Sequence, residues 1–210
     1  MKTTTSTTAT VRSGRAATRM IVCVGMLAAI STILMLFEFP LPFLAPGFYE
    51  LDFSEVPILI GAFALGPVAG VLTELVKILL NLVINGTNTA FVGEFANFVM
   101  GCMFVLPASL IYKMKKSRKH AVIGLAAGTV IMSVVAVFIN ALVLLPAYGK
   151  AFGMPMEALV GMGTAVNAHI TSLFPFVAFA VAPFNILKGI IDSLIVFLIY
   201  KKIRPVFRMQ

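Results

Sequence analysis

Charge is scarce in this sequence. Charged residues fill 11% of its 210 positions and hydrophobic ones 60%, whereas a soluble domain carries about 25% charge. Mean hydropathy is +1.04. An ordinary soluble domain is excluded, and one compact helical membrane domain is indicated. The apolar runs are unbroken and do not alternate with polar residues, which argues against a β-barrel. Cysteine and histidine are also sparse, with two of each. Cys23 and Cys102 lie inside apolar runs and outside any CxxC motif, so both are expected to be small packing residues. His120 lies in a basic loop and His169 in a distant non-basic segment, so no metal site is expected. The chain has no GxxxxGK[ST] phosphate loop, no HExxH and no GxSxG. It is therefore expected neither to hydrolyse ATP by itself nor to be an enzyme, and to need no cofactor.

What is present is a series of apolar runs with unusual interruptions. Residues 1–18 are polar, Thr-rich and basic, and read as a disordered cytoplasmic tail. The run from Met20 to Phe37 is long for a signal peptide core and has no small-x-small cleavage site after it, so it reads as a first span. Gly25-x-x-x-Ala29 gives that span a small-residue stripe for close helix contact. Residues 38–55 then gather Glu38, Glu50, Asp52 and Glu55 among prolines and aromatics. From Val56 to Asn85 the chain is apolar for a length of about 45 Å as helix. That is too long for one span and too short for two across about 30 Å of hydrocarbon. Gly66-Pro67 marks a turn in its middle, so a short helix 55–65 and a longer helix 67–85 are expected as a hairpin. Further spans are expected near 91–112, 121–145 and 179–200, the fifth carrying a close-packing Gly124-x-x-x-Gly128. Residues 146–178 read as a long outer connection with a short amphipathic helix near 155–165.

The distribution of charge tests this count. Lys and Arg number 16, with four in the N-terminal tail, five in 113–119 and four after Tyr200. The positive-inside rule places all three basic segments in the cytoplasm. Counting 56–85 as a single span would put the 113–119 loop outside, whereas the hairpin restores agreement. The expectation is an all-α integral membrane protein of six helices, 19–202, with both termini cytoplasmic and a short tail at 203–210. The basic residues thus mark orientation in a membrane, and no nucleic acid partner is expected.

A few polar side chains remain at membrane depth, where each is costly and ordinarily faces the protein interior. Glu94, Asn97 and Gly101 share a face of the fourth helix. Asn185, Lys188 and Asp192 share one on the sixth, and Asn140 stands almost alone in the outer half of the fifth. Glu74 and Lys77 can pair at i, i+3, and Lys188 with Asp192 at i, i+4. Near its helix end Lys188 can instead snorkel outward, and Asn140 can serve as a helix–helix bond. Glu94, Asn97, Asn140, Asn185 and Lys188 all project to the outer half of the bundle, which makes them the candidate ligand set. Glu50, Asp52 and Glu55 read as loop and helix-start devices, with Ser54 as the cap of the short helix. Most of the loop aromatics, Phe37, Phe39, Phe43, Phe48, Tyr49 and Phe53, read as interfacial anchors.

The blocks FEFPLPFL, YELDFSEVPILIGAFALGPVAG, NGTNTAFVGEFANF and NILKG strongly resemble the riboflavin-specific substrate-binding (S) component of energy-coupling factor (ECF) transporters, over about residues 20–202. The resemblance implies a six-helix vitamin-binding membrane protein that docks on one transmembrane coupling protein and two cytoplasmic ATPases. It implies ligand contacts from Glu94, Asn97, Asn140, Asn185 and Lys188, with Leu41 and Phe43 in the loop that covers the ring system. It also implies coupling-protein contact through an Ala-x-x-x-Ala motif on the first helix, where this chain has Gly25-x-x-x-Ala29. The bound molecule would be riboflavin as cargo. Alternatives are another vitamin on the same fold, or a self-sufficient carrier.

Overall fold

The computed structural model describes residues 5–87 and 89–208, and side chains within 17–87 and 89–199. Its element order is α1 (Thr5–Met35), β1 (Phe39–Pro40), β2 (Glu50–Leu51), α2 (Glu55–Leu65), α3 (Pro67–Asn85), α4 (Val92–Met114), α5 (Arg118–Ile139), α6 (Leu145–Phe152), α7 (Met156–Val166), α8 (Leu173–Phe176) and α9 (Ala182–Arg208). Among the described residues five stretches are long and apolar enough to cross a membrane: Ala17–Met35, Pro67–Asn85, Val92–Met114, Arg118–Phe152 and Leu173–Ile199. This is an all-α membrane fold.

The segment expected to be a disordered tail is helical in its described part, because α1 begins at Thr5. No proline interrupts residues 5–18, and the hydrogen-bond ladder of an established helix propagates one residue at a time. The expected C-terminal tail is likewise helical to Arg208.

The hairpin of α2 and α3 follows directly from the turn residues. Gly66 has φ of 105°, which an L-residue with a side chain rarely adopts, and Pro67 opens α3 at the position where its missing N–H costs nothing. At 11 residues α2 rises about 16 Å, so lipid alone cannot satisfy it. It is instead buried along most of its length, with Ile58, Leu59 and Phe63 packed on Phe104, Val105 and Tyr112 of α4 and Leu125 of α5. The outer core is separate: Ala45 and Leu51 of the first loop pack with Leu145, Phe176, Val177 and Val181.

Gly124 and Gly128 let α5 lie against the backbone of α4. A Cβ at Gly128 would stand 2.5 Å from the Phe104 carbonyl oxygen, and one at Gly124 2.5 Å from that of Ala108. Gly128→Val is expected to push the two helices apart and cost about 1–3 kcal/mol. Thermal unfolding in detergent checks this, and an unchanged midpoint rejects the close approach. The other small-residue stripe behaves differently. Val24, Ala28, Ser31 and Thr32 form the inward face of α1, while Gly25 and Ala29 are exposed and a Cβ at Gly25 would meet nothing within 4 Å. One residue turns a helix by about 100°, so this stripe faces away from the bundle.

The stretches Arg118–Phe152 and Leu173–Ile199 run past their expected ends. Asn140–Leu144 and Val177–Val181 are π-helical turns, and a proline follows each in the same register, Pro146 and Pro183. A proline in a regular helix loses a hydrogen bond and strikes the carbonyl four residues back. The wider turn relieves that clash, so the helices continue through both prolines. Helix therefore persists from 118 to 152 and from 173 onward, and α7 occupies the connection near its expected place.

Candidate functional site

A cavity of about 200 Å³ opens at the end of the bundle that carries the loop between α1 and α2. Its walls come from α3, α4, α5 and α9, and its roof from the loop between α1 and α2. Glu94 and Asn97 of α4, Asn140, and Asn185 and Lys188 of α9 all line it. Leu41 is half-buried and packs against the outer core, and Phe43 is 74% exposed, so neither reaches the cavity wall. Phe48 and Tyr49 take the inner face of the roof. Phe37 and Phe39 are exposed, as Phe43 is.

Asn140, Asn185 and Glu94 are each oriented by a partner. Asn140 donates from Nδ2 to the Ala136 carbonyl at 2.8 Å, which turns its Oδ1 toward Tyr49, whose hydroxyl donates at 2.6 Å. The Tyr49 ring centroid lies 5.6 Å from that of Phe184 and 6.4 Å from that of Phe176. Burial, and then the nearness of Tyr148, hold the Tyr49 proton well above the ordinary phenol range, so it stays a donor. Asn185 donates from Nδ2 to the Val181 carbonyl within the second π turn at 2.9 Å. Thr89 caps α4: its Oγ1 accepts from the Gly93 N–H at 3.0 Å and donates to Glu94 Oε2 at 2.7 Å. Ala90 and Phe91, just before α4, both have positive φ, 49° and 66°. Two side-chain-bearing residues in that region mark a strained entry at the cavity rim.

Beneath the cavity lies a buried charge network. Lys77 has no exposed surface and sits 2.7 Å from Glu74 and 2.9 Å from Glu55. Its ammonium also donates to Ser54 Oγ at 3.2 Å and to Asn97 Oδ1 at 2.9 Å. Asn97 therefore has its acceptor engaged and keeps its amide N–H groups for the cavity. The expected Glu74–Lys77 pair is present, but it is one arm of a larger cluster. Gly101 makes room for it, since a Cβ there would meet the Glu74 carboxylate at 2.6 Å.

Two expectations are corrected. Lys188 does not hydrogen-bond to Asp192; its ammonium donates to Asp52 Oδ2 at 2.7 Å. The folded loop brings Asp52 closer than helical spacing brings Asp192. Nor does Ser54 cap α2. It has helical φ and ψ and makes no side-chain cap bond; Asp52 Oδ1 takes its N–H at 2.7 Å, while Lys77 takes its hydroxyl. Asp52 and Glu55 thus also belong to ion pairs, while Asp52 accepts the Ser54 N–H beside the start of α2 and Glu55 stands in its first turn. Burial alone would raise the Asp52 pKa. The Lys188 and Lys77 charges and the hydrogen bonds from Lys188 and Ser54 override it and hold the carboxyl at about 2.

Glu38 and Glu50 face each other at the cavity mouth, and both line it. Burial, then repulsion from Glu50 and Asp52, pushes Glu38 from 4.5 up to about 7. The folded protein holds this proton more tightly than the unfolded chain. The stability it contributes is fully present below about pH 4.5 and is lost as pH rises through 7. Glu38→Gln is expected to flatten the pH dependence of the unfolding midpoint between pH 5 and 8. An unchanged slope would reject the elevated carboxyl.

Among the described residues no group of three or more His, Cys, Asp or Glu is placed to hold a metal ion. Tyr49, Asp52 and Phe184 are among the site residues that sequence reasoning missed. The signal for Asp52 was its place in an acidic loop facing an intramembrane lysine, and Tyr49 was hidden among six loop aromatics.

An all-helical membrane domain with an oriented polar cavity under a loop roof defines a membrane-embedded binding protein for a small molecule. The chain belongs to the family described as ECF transporter, substrate-specific component, whose model matches residues 19–200. It is 39% identical over 183 residues to a protein named riboflavin transporter RibU of Staphylococcus aureus, covering 87% of this chain and 89% of that one. It is 35% identical over 191 residues to riboflavin transporter FmnP of Bacillus subtilis, covering 90% and 94%. A solved structure described as the S component of a bacterial ECF transporter superposes with a TM-score of 0.72 at 37% identity, covering 90% of this chain and 98% of that one. The chain is therefore a multi-pass membrane transport component and not an enzyme.

Proposed function

We propose that this chain is the riboflavin-binding S component of an ATP-driven ECF importer. It takes riboflavin from the outer face and delivers it inward after docking on one transmembrane coupling protein and two cytoplasmic ATPases. The chain crosses the membrane six times, with α2 and α3 counted as a hairpin and both termini cytoplasmic. The observation that carries this reading is the convergence of Glu94, Asn97, Asn140, Asn185 and Lys188 on one cavity. Names of relatives support the choice of vitamin.

The chemistry suits a flavin. The isoalloxazine ring presents a flat apolar face, which Phe48, Tyr49 and Phe184 can cover. Its uracil-like edge alternates acceptors and a donor, which the oriented Asn140 amide can match. The ribityl hydroxyls find an acceptor in Glu94 and donors in Lys188 and Asn97. Paired polar groups in a covered pocket supply affinity and selectivity together. Leu41 and Phe43 stand one layer outside, as the outer cover of the ring. Gly25 and Ala29, on the outward face of α1, form the coupling-protein contact, where glycine allows close helix approach.

Purified protein titrated with riboflavin is expected to quench flavin fluorescence with one-site saturation. Folded protein that leaves the fluorescence unchanged would overturn the reading. Reconstituted alone in vesicles, the chain is expected to accumulate no riboflavin, and accumulation without ATPases would instead identify a self-sufficient carrier.

A further inference from the structure

The roof loop and the deepest cavity helix are joined by one ion pair. Asp52 ends the loop, is 1% exposed, and meets Lys188 Nζ at 2.7 Å across 136 residues of sequence. Its second oxygen is held by the Ser54 N–H. Lys188 lines the cavity, so the cation offered to a ligand carries a counter-charge that belongs to the roof. One helical turn deeper, Asp192 is 1% exposed and neither of its oxygens has a hydrogen-bond partner among the described residues. A buried carboxylate without a donor is costly. Lys77 cannot supply one, since Glu55, Glu74, Ser54 and Asn97 already surround it. Lys188, at i−4, is the ammonium within reach. Glu38 and Glu50 stand above it at the mouth.

We propose that Asp52 and Asp192 are positioning residues that hold Lys188 at two alternative stations. Lys188 pairs with Asp52 when the loop covers the cavity and with Asp192 when the loop lifts. Ligand capture and loop closure then share one ammonium. An ammonium has three donors, so with Asp52 in place it keeps others for ligand hydroxyls. When the loop leaves, Asp192 replaces the lost partner, and opening does not strand a bare charge. This rests on the cavity being the ligand site of the proposed function.

Two isosteric variants separate the stations. Stopped-flow flavin fluorescence is expected to show faster riboflavin release from Asp52→Asn, by about tenfold, because truncating one partner of a buried charge pair acts on dissociation. Asp192→Asn disfavours the lifted loop, so association and release are expected to slow by the same factor, with Kd unchanged. Asp192→Ser repeats the test if the amide variant does not fold. A second readout needs no ligand. Spin labels at Gly47→Cys, where a side chain would meet nothing within 4 Å, and at the exposed Val83→Cys report the loop distance, with Cys23 and Cys102 replaced by alanine. Asp52→Asn is expected to lengthen that distance and Asp192→Asn to narrow it. Variants that move release in the same direction, or leave the loop distance unchanged, overturn the latch. If the unaltered protein binds no riboflavin, the distances still decide the latch while the flavin reading fails separately.

Discussion

Replacing Lys77 by methionine is expected to cost about 3–5 kcal/mol of stability. The ammonium has no exposed surface and touches Glu55, Glu74, Ser54 and Asn97 at 2.7–3.2 Å. Methionine keeps the length of the side chain but removes its charge, so two buried carboxylates are left facing each other without a counter-ion. The same change releases the α2 start from α3 and frees Asn97 from its fixed orientation. Unfolding of the detergent-solubilised protein measures the loss. Adding Glu74→Gln to Lys77→Met is expected to recover part of it, because the two residues share one network and their effects do not add. A loss below about 1 kcal/mol would mean that the carboxylates are satisfied by other groups.

Lys188→Ala is expected to weaken riboflavin binding by about 2–5 kcal/mol, or at least about 30-fold in Kd. The substitution removes the only ammonium that lines the cavity among the described residues, and leaves Asp52 buried at the end of the roof loop without its charge partner. A fluorescence titration gives the affinity, and an unfolding scan shows that the protein remains folded. Unchanged affinity would confine Lys188 to tethering the loop. Because the same residue anchors the roof, the loss is expected chiefly in the release rate.

Much of the fold was legible locally. The turn at Gly66-Pro67 needs only the φ of one glycine and the missing N–H of one proline, and both act within a single peptide unit. The contact at Gly124 and Gly128 follows from having no side chain at one helical repeat. The gathering of Glu94, Asn97, Asn140, Asn185 and Lys188 was legible too, since lipid cannot solvate them and only the interior remains. The continuation of the helix past Pro146 was not, because a π turn absorbs that proline and only the packed helix shows whether it does.

Partner choice among the buried charges lay further from reach. Lys188 had an acid at i+4 on its own helix and another 136 residues away, and the distant one holds it. Helical spacing describes which side chains share a face. It contains nothing about where a loop brings a carboxylate. The same holds for Tyr49, one of six loop aromatics until its hydroxyl is seen 2.6 Å from the Asn140 amide.

By itself the sequence determined the membrane class, the short hairpin, the approximate place of the long helices and the set of polar residues that must turn inward. These follow from partition between water and lipid and from backbone geometry within one turn. Only the tertiary structure decided which acid each lysine holds, which aromatics face the cavity, and that Gly25 and Ala29 of α1 are exposed and not packed in the bundle. Those choices depend on the simultaneous distances among several elements in a low-dielectric interior, where one close partner outweighs a nearer neighbour in sequence.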